Sequence, residues 1–285
     1  MSYIINMKFY LTDKFHHKNE FSLRKGLKDL GIVLVNSIEK ADLIYSPCKP
    51  IDISRYPKKK FIFGPHFSVF INTKCMFNNI HNNAIYIQPS EWVRKLWVDE
   101  FKYKSLPVVP YAFGVDTDTY TETKQINDRQ KVLIYFKRRK QSDLKYVTDF
   151  LDKLNIDYTT VCYGKYKSDD YLKLLRESKY CIWIGCHESQ GFALEEALSC
   201  NVPLLVWDVT RMAQEIGCNK YNSIKTRATS IPYWDYRCGL NFTNISELSS
   251  IYDKFIKQLH LFKPREYILE NLSIKTRTEK FLQLI

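Results

Sequence analysis

The sequence predicts an α/β fold made of two Rossmann-like domains facing each other across a cleft. Short apolar runs alternate with longer segments of helical periodicity, the pattern of parallel strands joined by helices. The alternation occurs twice, on either side of a polar stretch, Thr119 to Gln130 (TYTETKQINDRQ), that has no periodicity and reads as a linker. The chain has 285 residues, enough for two cores of about 130 residues each.

In the first half, KFYLT, IVLVN, ADLIYSP, KFIFGP and AIYIQP read as strands. The start, MSYIINMKFYLTD, lacks the basic residues, apolar stretch and small-residue cleavage site of a signal peptide and reads as the first strand. Phe21, Leu23, Leu27 and Leu30 mark a helix over 19–30, closed by Gly31. Ser90 is placed to cap the helix EWVRKLWVDEF, whose Trp92, Leu96 and Trp97 form one stripe. Beyond the polar stretch come the strand KVLIYF, a helix over 142–154, the strand YTTVCYG, a helix over 169–178 and the strand YCIWIG. A short helix from Gly191 through Ser199 and the strand VPLLVWD complete the series. The expected domains are residues 1–122 and 128–264, with a C-terminal helix over about 265–285 returning to the first.

Composition narrows the class. Hydrophobic residues at 45% and charged residues at 26% suit a globular chain, and nowhere do about 18 apolar residues run together as a membrane span requires. The net charge of +12 favours anionic partners: nucleotides, phosphorylated acceptors, nucleic acid or an acidic membrane surface touched peripherally. The eight cysteines form no CxxC pair and have no matching histidines, so no zinc site is expected. Several lie inside apolar runs, which suits a reducing, cytoplasmic setting.

Chemistry concentrates in HESQGFALEEALSCNVPLLVWD, 187–208. A strand delivers the chain to His187; Glu188 lies in the loop, and Glu196 lies one turn beyond Phe192. The amides of Gln190, Gly191 and Phe192 belong to a helix start, where backbone N–H groups and the dipole favour an anion. Gly191 lets a ligand approach the backbone closely. As a purely structural alternative, Glu188, Glu195 and Glu196 are simply favourable charges at a helix N-terminus.

Glu188 and Glu196 with Gly-Phe between them, followed by Ala-Leu and Val-Pro-Leu-Leu-Val, resemble the donor signature of group 1, family four-like retaining glycosyltransferases of the GT-B fold. YIQPSEWVRKLW followed by LPVVPYAFGVDTDTY is similar to the end of that family's N-terminal domain, with Gly114, Val115 and Asp116 fitting a Gly-Val-Asp segment. The resemblance implies sugar transfer from a nucleotide-diphosphate sugar to a glycan, lipid-linked or protein acceptor, with retention of configuration and without a metal or other cofactor. It implies that Glu188 contacts the donor sugar, that Glu196 holds the ribose, and that Gln190, Gly191 and Phe192 meet the phosphates. Lys137, Arg138 and Arg139 follow the strand VLIYF, where the family sets cations against the diphosphate; Arg138 is the expected catalytic one. His66, ending FIFGPH, is the expected catalytic histidine of the first domain, and His187 lies beside the sugar site.

The chain departs from the family in three places. No glycine-rich loop follows the first strand, FKRRKQSD replaces a Gly-Arg and Lys-Gly pair, and Arg211 and Met212 stand where two glycines are usual. Alternatives are a non-catalytic protein that kept the fold to bind nucleotide sugar or glycan, and a DNA-modifying glucosyltransferase. No nucleic-acid motif supports the latter, and a nucleic-acid partner is not expected. In ATSIPYWDYRCG, 228–239, a turn anchored by buried aromatics is the favoured reading over a sugar platform.

Overall fold

The structure, a computed structural model, describes residues 7–77 and 82–284; residues 1–6 of the expected first strand lie outside them. The chain divides into two compact units, Met1–Gly114 with Leu272–Ile285, and Val115–Asn271.

The first unit is a parallel sheet of β1 (Lys8–Leu11), β2 (Val33–Leu34), β3 (Leu43–Ser46), β4 (Lys60–Phe63), β5 (Ala84–Gln88) and β6 (Val108–Pro110) in the order β2-β1-β3-β4-β5-β6. β3 and β5 are buried at every position, which is why they read as unbroken apolar runs rather than alternating ones. β6, three residues ending in proline, was not among the predicted strands: so short a run has no period to detect.

Helix α1 (His17–Asp29) ends as predicted, with Gly31 at φ +70 and the Ile32 amide donating to the Leu27 carbonyl at 2.9 Å. α2 (Glu91–Lys95) continues into a wider π-helical turn, Leu96–Glu100, and buries Trp92, Leu96 and Trp97. Ser90 stands at the N-cap without a side-chain capping bond, contrary to the expectation.

The second unit holds β7 (Lys131–Phe136), β8 (Tyr158–Cys162), β9 (Ser178–Ile184), β10 (Leu204–Trp207) and β11 (Gly239–Phe242), all parallel, in the order β11-β10-β9-β7-β8. Its helices are α3 (Gln141–Lys153), α4 (Ser168–Glu177), α5 (Phe192–Ser199), α6 (Leu248–Gln258) and α7 (Pro264–Asn271). Val132, Ile134, Ile182 and Leu205 of the sheet belong to one core with Leu151 of α3 and Phe255 of α6. On neighbouring strands Tyr135 stacks on Trp183 with ring centroids 3.8 Å apart.

The tail is two helices rather than one. α7 belongs to the second unit; α8 (Ile274–Leu282) belongs to the first, where the Phe281 ring lies 5.1 Å from both Tyr45 and Tyr111.

The polar stretch 119–130 is not a loose linker. It belongs to the second unit, because Arg129 is buried and donates to the carbonyls of Cys200 (3.0 Å) and Lys124 (2.8 Å). Its neighbour Tyr120 accepts from Ser199 Oγ at 2.5 Å and from Arg265 at 3.0 Å through its carbonyl. Polarity in a sequence does not distinguish solvated side chains from ones that satisfy buried carbonyls.

The strand order positions the site. From β7 the chain moves outward to β8, then returns to β9 on the other side of β7. Crevices open outside the carboxyl ends of strands at such a reversal. β7 ends at Phe136, just before Lys137, and β9 ends at Ile184, just before Gly185, so the segments singled out by sequence converge there.

Candidate active site

At the end of β7 the ladder runs one residue further, the Lys137 amide donating to the Ile184 carbonyl at 3.0 Å. Arg138 then takes φ +50, a left-handed conformation unusual for a side chain of its size, and its carbonyl receives the Ile216 amide at 3.0 Å. The turn gives three successive basic side chains three different partners.

Lys137 grips Glu188 with both carboxylate oxygens, at 2.7 and 2.8 Å. Burial works against the Lys137 charge, but Glu188 outweighs it and holds the lysine above its ordinary range. The ammonium also lies 4.5 Å from the centre of the Tyr163 ring. Arg138, 56% exposed at its side chain, reaches the buried Glu215 at 2.8 Å. Arg139 turns inward to Asp143 (2.9 Å), to the carbonyls of Gly185 (3.3 Å) and Trp207 (3.4 Å), and over the Trp207 ring. The expectation that Arg139 faces a diphosphate does not match this geometry: its guanidinium is buried and ties together the ends of β9 and β10.

The loop from β9 to α5 has its own supports. The Glu188 amide donates to the Thr229 carbonyl at 3.0 Å, and Asp208 holds the 229–230 segment through Thr229 Oγ1 (2.8 Å) and the Ser230 amide (2.6 Å). Burial pushes the Asp208 carboxyl up, opposed by these hydrogen bonds. Asp208 and Thr229 were absent from the predicted site; the only sequence signal was an acid ending an apolar strand.

Gly191 sits at the N-cap of α5 with φ +103, a conformation that side chains rarely adopt. Gln190 donates to Glu195 at 2.9 Å, and both are buried. The amides of the first helical turn point out of the start of α5, where the helix dipole favours an anion. Glu196 is buried and receives a hydrogen bond from the Tyr120 hydroxyl; burial first, then Glu196, raises that phenol. Tyr120 was missed because its segment read as linker.

The structure thus brings Lys137, Arg138, His187, Glu188, Gln190, Gly191, Phe192 and Glu196 to one end of one sheet. His66 belongs to the first unit, after β4. Its Nε2 donates to the Phe70 carbonyl at 2.6 Å, so its Nδ1 accepts from the Tyr86 hydroxyl at 2.9 Å. Burial lowers its pKa, and both ring nitrogens are engaged, which suits a structural post better than the expected proton-transfer role. In the 228–239 segment Tyr233 and Trp234 are only half-buried and Tyr236 is exposed, so buried aromatics do not anchor the turn as expected; Arg237 holds it through Asp235 (2.7 Å) and Glu270 (2.6 Å).

His187 lies 3.5 Å from Glu215 and stacks edge-on against Tyr221. Cys186, His187 and Glu215 place ligand atoms within 4.8 Å of one another. Arg138 already occupies Glu215, Lys137 stands close by, and burial pushes the Cys186 thiol up to about 12, so a cation entering here would meet like charge.

Burial lowers the His187 pKa to about 4, with Glu215 opposing and Lys137 and Arg138 assisting. The unfolded imidazole therefore binds protons more readily, and His187 contributes stability above about pH 6.5 that is lost as pH falls toward 4. Between pH 7 and pH 5 the parent is expected to lose about 2 kcal/mol from this residue alone. Urea midpoints at both pH values for the parent and His187→Gln check this, the variant showing the smaller loss.

No family model matches the chain, and no curated protein matches it in sequence. Its fold, however, is that of known glycosyltransferases: the two Rossmann-like units make the GT-B fold. The chain is similar over 97% of its length to AviGT4, a glycosyltransferase involved in avilamycin A biosynthesis, covering 96% of that chain with a TM-score of 0.54 and 12% identity. It is similar over 97% of its length to the lipopolysaccharide outer core galactosyltransferase WaaB in its apo form, covering 98% of that chain with a TM-score of 0.53 and 11% identity.

Proposed function

We propose that the protein is a glycosyltransferase that takes a sugar from a nucleotide-diphosphate sugar and passes it to a glycan, lipid-linked or protein acceptor. The observation that carries this reading is the Lys137–Glu188 pair at the strand reversal, next to the left-handed turn at Gly191 that opens α5. An ammonium and a helix start beside one crevice suit a diphosphate, and a carboxylate between them suits sugar hydroxyls. The two glycosyltransferases that share the fold support the same class.

In this reading the donor's diphosphate meets the first turn of α5 and the ammonium of Lys137, which is released in part from Glu188. Arg138, the most exposed cation of the site, stabilises charge that develops on the leaving diphosphate. Glu188 orients the sugar, and Glu196, positioned by Tyr120, holds the ribose. Retention without a metal is part of the proposal, resting on the sequence resemblance. Anomeric configuration of the product by NMR, with and without chelator, tests both features.

A thermal-shift screen of UDP-, GDP-, ADP- and dTDP-hexoses, followed by donor hydrolysis on the hits, tests the class. No stabilisation by any of them would defeat the proposal. Tyr120→Phe removes one hydrogen bond to Glu196 and is expected to weaken nucleotide binding about fivefold, equivalent to about 1 kcal/mol. Glu196→Ala should weaken it further. Titration of the nucleoside diphosphate into each variant checks the order.

A further inference from the structure

The segment 66–77, HFSVFINTKCMF, bears apolar side chains on the surface of the first unit: Phe67 is 74% and Met76 53% exposed, and Phe70, Ile71 and Phe77 are only half-buried. Phe70, Ile71, Met76 and Phe77 line an open groove of about 620 Å³ with Phe101, and Phe67 and Lys74 line an adjoining groove that shares Phe77. The segment is nevertheless firmly held. His66 donates to the Phe70 carbonyl at 2.6 Å, Trp97 Nε1 to the Val69 carbonyl at 2.8 Å, and the Tyr103 hydroxyl to the Cys75 carbonyl at 2.6 Å. Phe70 packs on Phe101 with centroids 5.8 Å apart. Buried polar groups therefore fix an apolar surface that the core does not cover.

Lysines surround it. Lys74, Lys102 and Lys104 are exposed, and none has an acidic partner among the described residues. Neither 66–77 nor 101–105 contains an Asp or Glu; the nearest acid along the chain is Glu100, just before Phe101. A protein partner covering this surface would have to match three lysines or bury them unpaired. A bilayer has no such requirement, because apolar tips enter the acyl boundary while lysine stems extend along it and place their charges among anionic headgroups.

We propose that this platform docks on an acidic lipid bilayer, with Phe67 and Met76 inserted and Lys74, Lys102 and Lys104 against anionic headgroups. The test is cosedimentation of the full chain with phosphatidylcholine vesicles, with and without phosphatidylglycerol. Binding should require the acidic lipid, fall as salt is raised, and weaken at least about tenfold in Phe67→Ser/Met76→Ser and in Lys102→Glu/Lys104→Glu. The substituted side chains lie at the surface, so the melting temperatures should match the parent's, and nucleotide binding in the second unit should be unchanged.

Equal binding to both vesicle types, no binding to either, or variants that bind like the parent would overturn the proposal. A dimer in sedimentation velocity that the double serine variant disperses would assign the surface to a second copy instead. Because vesicle binding and nucleotide binding are read separately, failure of one leaves the other standing.

Discussion

Glu188→Ala is expected to lower kcat/KM by at least about a hundredfold, the scale on which loss of one preorganised charged contact acts. The physical cause is double. The variant lacks the carboxylate proposed to contact the sugar, and it leaves the Lys137 ammonium buried without the partner that grips it at 2.7 and 2.8 Å. An uncompensated buried lysine loses protons more readily and shifts position, so the diphosphate site suffers too. Stability should also fall by about 2–3 kcal/mol, slightly less than for a fully dry pair.

A second variant separates the two causes. In Lys137→Met/Glu188→Leu both charges are replaced by apolar groups, which is often nearly neutral for folding. The double variant should regain most of the melting temperature and none of the turnover. If Glu188→Ala instead transferred sugar like the parent, the assignment of this crevice would be wrong, whatever its stability.

Arg139→Ala is expected to unfold the second unit more readily, by about 3 kcal/mol, without changing nucleotide affinity in the folded fraction. Its guanidinium satisfies Asp143 and two carbonyls at the ends of β9 and β10 at once, and truncation leaves all three without it. For a unit of this size the loss corresponds to a melting temperature lower by about 6–12 °C. Arg139→Lys should recover little, since a point charge cannot span acceptors that a planar fork reaches. The opposite pattern, an unchanged melting temperature with weakened nucleotide binding, would return Arg139 to the diphosphate-binding role that its sequence position suggests.

Arg139 shows where sequence reasoning stops. Lys137, Arg138 and Arg139 are three like charges in one loop, and nothing in their order distinguishes them. The left-handed turn at Arg138 separates them: one side chain pairs with Glu188, one stays exposed while pairing with the buried Glu215, and one is buried. His66 shows the same limit. Its position after a strand suggested catalysis, whereas the residues occupying its two nitrogens, Phe70 and Tyr86, lie four residues away and on another strand.

By itself the sequence determined what depends on local pattern: the alternation of buried strands and helices, and the glycine closing α1. It also grouped Glu188, Gly191 and Glu196, because they lie within one strand-turn-helix unit whose geometry is the same wherever it occurs. Only the tertiary structure decided which distant groups meet them. Tyr120 on Glu196, Lys137 on Glu188, and Asp208 holding the loop through Thr229 all join segments far apart in the chain. Periodicity reports which face of an element is buried; a partner on another element is set by strand order, and strand order has no local signature.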